Sequence, residues 1–298
     1  MTAMQTVIPE PYRTIEIAPV AGALGAEIHG VDLADPLNDA TVAEIRRALV
    51  DHQVIFFRDQ SLGPEQQVAL TARFGAVARM PYIEALPGHP DIIAVLKEPE
   101  ERNISTFGGT WHSDFSFLQE PPMGTLLYAL EVPDHGGDTL WADMYGAYES
   151  LSEGLRRFLD PLVAIHSGAP YGRANAPAQD LAVSRSVRMS RGNPEADAET
   201  EHPVVRLHPD SGRRALFVNP VYTLRFKGMT AEESRPLLEY LYAQATRPEL
   251  TCRFRWRKHS LAFWDNRCTL HLAINDYDGR RRLLHRTTVA GERPRGVG

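Results

Sequence analysis

"FWDNRCTLHLAINDYDGRRRLLHRTTVAGERP", residues 263–294, decides how the rest of the chain is read. Within it, "GRRRLLHR" packs four arginines into eight residues. A basic run of that kind is usually a solvated face. Side chains alternate along an extended chain, however, so Arg280, Arg282, Leu284 and Arg286 share one side. The continuation, "LHRTTVAG", is β-branched and apolar, the composition of a strand. Phe263 and Trp264 read as core, and Asp265, Asn266 and Arg267 read first as a turn.

Runs of the same kind recur outward from this segment: "TIEIAPV", "QVIFFRD", "DIIAVLK", "GTLLYALEV", "HPVVRLHP", "RALFVN" and "CRFRWRK". Several alternate apolar and polar residues, as half-buried strands do, and Gly, Pro, Asp and Asn separate them. Helices are few. "NDATVAEIRRALVDH" places Val42, Ile45 and Leu49 on one face behind Asn38 or Asp39 as a cap. "PEQQVALTARFG" starts at Pro64 and stops at Gly75. "TAEESRPLLEYLYAQAT" opens on a Thr230–Glu233 capping box, with a late or irregular start expected at Pro236. "ADMYGAYESLSEGLRRFL" reads as helical in its second half. The pattern predicts a mainly β fold with peripheral helices, a double-stranded β-helix of the jelly-roll or cupin-like kind. The 298 residues are read as one domain. Residues 167–201, polar and without a strong period, read as an insertion that is either a lid or a disordered loop.

The net charge is -6, from 32 basic and 38 acidic residues, and no basic block stands out, which argues against nucleic acid as a partner. No apolar run approaches the roughly 18 residues of a membrane helix. The N-terminus lacks a signal pattern, and Cys252 and Cys268 are too few for a disulfide framework, so both read as reduced thiols of a cytoplasmic protein.

A metal site is the sharpest chemical possibility. In "GGTWHSDFSF" (108–117), His112 and Asp114 are one residue apart and would project side by side from an extended chain. Two histidines and a carboxylate on one face of an octahedral ion leave three open positions, the arrangement of non-haem Fe(II) oxygenases. Alone, H-x-D arises often by chance and reads as structural. His202 and His208, flanking "PVVRL", read as surface or strand-end residues.

Three motifs in order change that weighting. "GGTWHSDFSF", "HGGDTLWADM" and the 263–294 segment, together with "GALGAEIHGVDL", "VIFFRDQSL" and "HPVVRLHPDSGRRALFVNPVYT", resemble the taurine dioxygenase (TauD/TfdA) family over nearly the whole chain. The resemblance implies an enzyme using Fe(II), 2-oxoglutarate and O2. Its iron ligands fall on His112, Asp114 and His271. His285 is the competing choice for the third, but the family places the distal histidine eleven residues before the arginine that holds 2-oxoglutarate, which gives His271 and Arg282. Thr139 is implied beside Arg282, and Trp264, Asp265 and Asn266 as supports around the ligands. A far carboxylate needs a bidentate, always-charged partner, which arginine supplies better than lysine.

The resemblance assigns the anionic head of the prime substrate to Arg286. Taurine-specific members carry histidine and tyrosine where "FGAVARMPYI" has Met80 and Ile83, and asparagine where Gly108 stands. Those losses disfavour an unpaired ammonium. The expected substrate is therefore a small anion larger and more apolar than taurine: a sulfonate, a sulfate ester or an aryloxyalkanoate. "ATRPELTCRFRWRK" and "HRTTVAGERPR" look like the phenoxypropionate dioxygenases of the family. Met80, Tyr82, Ile83 and Phe217 are expected to line the pocket. Family habit implies a dimer or tetramer. A cupin-like isomerase or hydrolase with a redox-inert metal, or a non-catalytic 2-oxoglutarate sensor, stays open as an alternative.

Overall fold

Two β-sheets face one another in the computed structural model, which describes residues 11–102, 105–175 and 186–297. The larger has seven strands in the order Glu16–Pro19, Ala26–His29, Val54–Phe57, Leu261–Asp265, Gly124–Glu131, Arg282–Val289 and Ile93–Lys97. Only the Ala26–His29 and Val54–Phe57 pairing is parallel among these. The facing sheet joins Thr251–Phe254, Thr139–Asp143 and Thr269–Ala273. Two further three-stranded sheets join Thr223–Phe226, Val163–Ser167 and Glu199–Pro203, and Arg214–Leu216, Val205–Leu207 and Arg295–Gly296.

"VIFF" shows why the large sheet is buried on both sides. Val54 and Phe56 turn to the facing sheet, where Phe56 stacks on Phe254 at 4.0 Å and meets Trp141 edge-on at 5.3 Å. Ile55 and Phe57 turn the other way, beneath Ile45 and Leu49 of the Asp39–His52 helix and Leu70 of the Pro64–Ala72 helix. Trp141 and Trp264 meet across the interior at 5.6 Å. Fully burying one such aromatic contributes roughly 1.5–3 kcal/mol, so this seam anchors the strands that carry the site.

The caps fall where the residue types place them. Asn38 accepts from Thr41 N–H, and Thr230 and Glu233 form a reciprocal capping box. Two helix expectations need correction. Pro236 does not delay the last helix, which runs Ala231–Ala245 with Pro236 on its exposed side, where water can satisfy the carbonyl left free. The 142–159 segment is helical in both halves, as Met144–Glu149 and Glu153–Leu159. The 167–201 insertion keeps strand at each end, Ser167 and Glu199 being strand residues. Between them, short 3-10 turns and residues 186–193 are described, while 176–185 lie outside the described residues. Among the described residues, no helix is long and apolar enough to cross a membrane.

Candidate metal centre and substrate cavity

His112 and His271 are brought together by backbone. They form an isolated antiparallel bridge in which His112 N–H donates to His271 O (3.1 Å) and His271 N–H donates to His112 O (2.8 Å). Directly opposed residues point to one face, so the two rings lie 4.1 Å apart. "HSDF" is not a strand. After the bridge it enters a tight turn, and Phe115 takes φ 47°. That turn swings Asp114 onto the histidines: Asp114 Oδ1 is 3.6 Å from His112 Nε2 and 3.7 Å from His271 Nε2. All three residues are buried, and their ligand atoms fall within 4.8 Å of one another.

The surroundings fix the donor set. His112 Nδ1–H donates to Thr110 O at 2.7 Å, which turns Nε2 toward Asp114. His271 is wedged between the rings of His112 and Trp264, the latter at 4.7 Å. Burial, then His112, holds His271 well below its ordinary pKa, so its imidazole is neutral. Burial alone would raise the Asp114 carboxyl. Arg286, His271 and His112 outweigh it and keep Asp114 ionised, far below the usual carboxylate range. Two imidazoles and one carboxylate form a donor set that suits ferrous iron.

Asn266 supports Asp114 rather than His271. Its side-chain oxygen accepts from Trp264 Nε1–H (2.9 Å), its amide donates to Thr125 Oγ1 (3.0 Å), and Thr125 donates to Asp114 Oδ2 (2.8 Å). Asp265 touches none of the three. It pairs with His208 (3.0 Å) and with Arg267 (2.7 Å) in a closed, buried group. His208 Nδ1 accepts from the Asp210 and Ser211 amides, so its other nitrogen donates to Asp265. Cys268 beside them stays protonated, because burial pushes its thiol well up. This second cluster is internally satisfied and holds the turn. His202 and His208 are therefore buried, against the surface reading.

The strand Arg282–Val289 alternates as expected from Arg282 onward: Arg282, Leu284 and Arg286 are buried and His285 is half-buried on the opposite face. His285 cannot join the triad from there. Arg280 precedes the strand and bonds His135 instead of sharing the inward face. Arg282 Nε and Nη2 are buried with no hydrogen-bond partner, and the rings of Trp256 and Tyr277 flank the guanidinium at 5.8 Å each. Trp256 Nε1–H donates to Thr139 Oγ1 (2.9 Å), which frees the Thr139 hydroxyl proton for an acceptor. Thr139, Arg282, His271, Trp264 and Arg286 line one small pocket. Gly137 is required behind it: with φ +70°, any Cβ would lie 3.2 Å from Arg282 and Tyr277. A buried, unpaired guanidinium is costly until an anion reaches it, and a carboxylate fits these donors.

Arg286 Nη2 lies 3.1 Å from Asp114 Oδ2, yet without hydrogen-bond geometry, and its Nε is also unpartnered. Beyond it opens a cavity of about 230 Å³, at the small end for ligand sites. Phe107, Phe115, Tyr171, Tyr222, Met189 and Arg191 are among its walls, and Gly108 is part of them. Tyr171 and Tyr222 lie 3.4 Å apart at their hydroxyls, and burial raises both pKa values, so both remain proton donors.

Four expected lining residues stand elsewhere. Met80 and Ile83 belong to the core behind the wall, and Tyr82 stacks on Tyr171 at 5.3 Å without lining the cavity. Phe217 packs between His166 and His202, 5.7 Å from each, with Arg206 above it. Tyr222 occupies the wall from the same loop. The signal was present in "NPVY": Asn219 accepts from the Val221 and Tyr222 amides, an Asx-type turn that redirects the chain.

Gly108 yields a direct prediction. Its φ is +77°, and a Cβ there would sit 3.2 Å from His112 Cε1. Gly108→Asn, the taurine-type residue, should cost about 1 kcal/mol of stability from the left-handed backbone and weaken metal binding by pressing on His112. It should not create taurine turnover. Metal titration and taurine-dependent succinate release check both; unchanged metal affinity with new taurine activity would contradict the steric account.

Comparison with known proteins bears on this geometry. A model of the taurine catabolism dioxygenase TauD, TfdA family matches residues 16–288. The chain belongs to the TauD/TfdA family. It is 38% identical to an alpha-ketoglutarate-dependent sulfate ester dioxygenase of Pseudomonas putida, covering 95% of this chain and 92% of that protein. An alkylsulfatase of Acinetobacter baylyi is 35% identical over 97% of this chain and 89% of its own length. A crystal structure of a taurine dioxygenase from Burkholderia xenovorans superimposes with a TM-score of 0.80 at 38% identity, covering 96% and 94% of the two chains. The TauD/TfdA chain described here is thus an Fe(II)- and 2-oxoglutarate-dependent dioxygenase with the jelly-roll core of its relatives.

Proposed function

We propose that His112, Asp114 and His271 hold the iron, that Arg282 and Thr139 take the far carboxylate of 2-oxoglutarate, and that the aromatic-walled cavity binds a sulfate ester or similar apolar anion by its head at Arg286. The observation that carries this reading is the pair of buried guanidinia, Arg282 and Arg286, on successive inward positions of one strand beside the triad, both with unpartnered nitrogens. Ferrous iron bound by these three residues would supply the oxidising chemistry of the family, in which O2 activation and decarboxylation of 2-oxoglutarate to succinate are coupled to oxidation of a substrate C–H bond.

The protein's own part is positioning. Asp114 Oδ2, engaged by Thr125 and facing Arg286, leaves Oδ1 toward the histidines. Tyr171 and Tyr222 add hydroxyl donors near Arg286, enough to surround a tetrahedral or planar anion. Phe107, Phe115, Val221 and Met189 exclude water around an apolar tail. Among the described residues, Asp114 is the sole acidic side chain in the wall, and it faces Arg286 and the two histidines, so the wall described offers the ammonium of taurine no free carboxylate. The two sulfate-ester relatives support the same head group.

Succinate release under air, with Fe(II), 2-oxoglutarate and ascorbate, separates the classes. Medium-chain alkyl sulfates should stimulate it at least tenfold over taurine. Stimulation by phenoxypropionates alone would move the substrate to aryloxyalkanoates; taurine as the best substrate would contradict the reading of the wall.

A further inference from the structure

Arg191 lines the same cavity from an exposed position, and no role has been given to its charge. It is exposed, and no ion pair or hydrogen bond engages its guanidinium among the described residues. Its backbone, by contrast, is clamped from both sides. Ser190 N–H donates to Tyr82 O (2.8 Å), Gly192 N–H to Gly172 O (3.1 Å) and Asn193 N–H to Tyr171 O (3.0 Å), while Met189 bridges to Ile83. A cation unpaired among the described residues, on a backbone held from both sides at a cavity wall, stands where a ligand in that cavity can meet it. It acts electrostatically on the Tyr171 hydroxyl, as Arg286 does from the inner end.

We propose that Arg191 is an outer anion contact, reading a carboxylate or sulfate at the end of the substrate remote from the metal triad. The complementary ligand is an anion, an apolar spacer and a second anion. Arg286, in the adjoining small pocket with its guanidinium 5.6 Å over the Phe115 ring, takes the inner charge, Phe115, Tyr222 and Met189 flank the spacer, and Arg191 meets the outer charge. The exposed position keeps desolvation small for Arg191 and its ligand, so the contact discriminates modestly and is weakened by salt. The inference rests on the reading of Arg286 as the head-group site.

Hexyl sulfate and its ω-carboxylated analogue, 6-(sulfooxy)hexanoate, form the matched pair, with spacers of four to eight carbons to bracket the reach. Calorimetric titration under nitrogen, with Fe(II) and 2-oxoglutarate present, measures binding without turnover. The wild type should bind the dianion about fivefold more tightly at the best spacer length, the most an exposed ion pair supplies. Arg191→Gln should bring the two to parity and leave hexyl sulfate affinity unchanged; Arg191→Lys should keep part of the preference. A wild type with no preference at any length overturns the proposal. So does an Arg191→Gln variant that weakens both ligands equally, since that marks general attraction of anions. Succinate release from hexyl sulfate under air is read separately. If hexyl sulfate binds but is not oxidised, the substrate reading fails while the binding ratio still decides the role of Arg191.

Discussion

His271→Ala should lower iron affinity by at least two orders of magnitude, while His285→Ala leaves iron stoichiometry unchanged. The two histidines carry equal weight in the bare sequence, but the fold separates them. His271 is joined to His112 by two backbone hydrogen bonds and points its Nε2 to within 3.7 Å of Asp114 Oδ1. His285 lies on the opposite face of its strand, where its carbonyl accepts from Gln67. Changes in the shell around a metal already cost about 10–100-fold in affinity, so loss of a ligand costs more. Equilibrium dialysis with Fe(II), or with Mn(II) as an air-stable probe, reads the difference. Iron lost in His285→Ala and kept in His271→Ala would reverse the assignment.

Arg282→Met should separate cosubstrate binding from folding. With the guanidinium gone, 2-oxoglutarate loses a buried, charge-assisted pair, which costs about 3 kcal/mol or more and so raises its Kd by two orders of magnitude. The protein without cosubstrate should respond in the opposite sense. Arg282 Nε and Nη2 have no partner, and burial disfavours their charge. An apolar side chain of similar length removes that penalty, so its Tm should rise. The wild type should gain stability on adding 2-oxoglutarate and the variant should not. Thermal unfolding with and without 2-oxoglutarate reads both effects; a variant with lower Tm that still responds to 2-oxoglutarate would place the carboxylate elsewhere.

The sequence disclosed the chemistry where local periodicity and chemistry coincide. Alternation puts Arg282, Leu284 and Arg286 on one face, and in the fold that face is the buried one, although Arg280, expected with them, precedes the strand. The caps at Asn38 and Thr230 follow from one side chain and the next few amides, so they too were legible. The cavity wall was not. Tyr171, Met189, Arg191 and Tyr222 come from segments far apart in sequence that meet through loop hydrogen bonds, and no period marks them. Phe217 was expected in the wall, yet Tyr222, set by the Asn219 turn, lines it instead. His202 and His208 look like polar strand ends but are buried, since Leu118 O accepts from one and Asp265 from the other. Asn266, next to Asp265 in the same turn, proved to act on Asp114 through Thr125. Such partnerships are tertiary, and their residue types alone carry no signal of direction.

The wall also changes how Arg286 should be tested. Its 3.1 Å approach to Asp114 means that truncation disturbs the proposed metal ligand as well as the proposed head-group contact. A loss of activity in Arg286→Ala is therefore ambiguous unless iron content is measured alongside.

The measurement that tests the central claim most directly is the ratio of succinate formed to anionic substrate consumed, in matched reactions under air and under nitrogen with Fe(II) present. The account predicts one succinate per substrate oxidised under air and no turnover under nitrogen. Substrate consumed under nitrogen, without succinate, would contradict it and show that the His112–Asp114–His271 centre serves a redox-inert reaction.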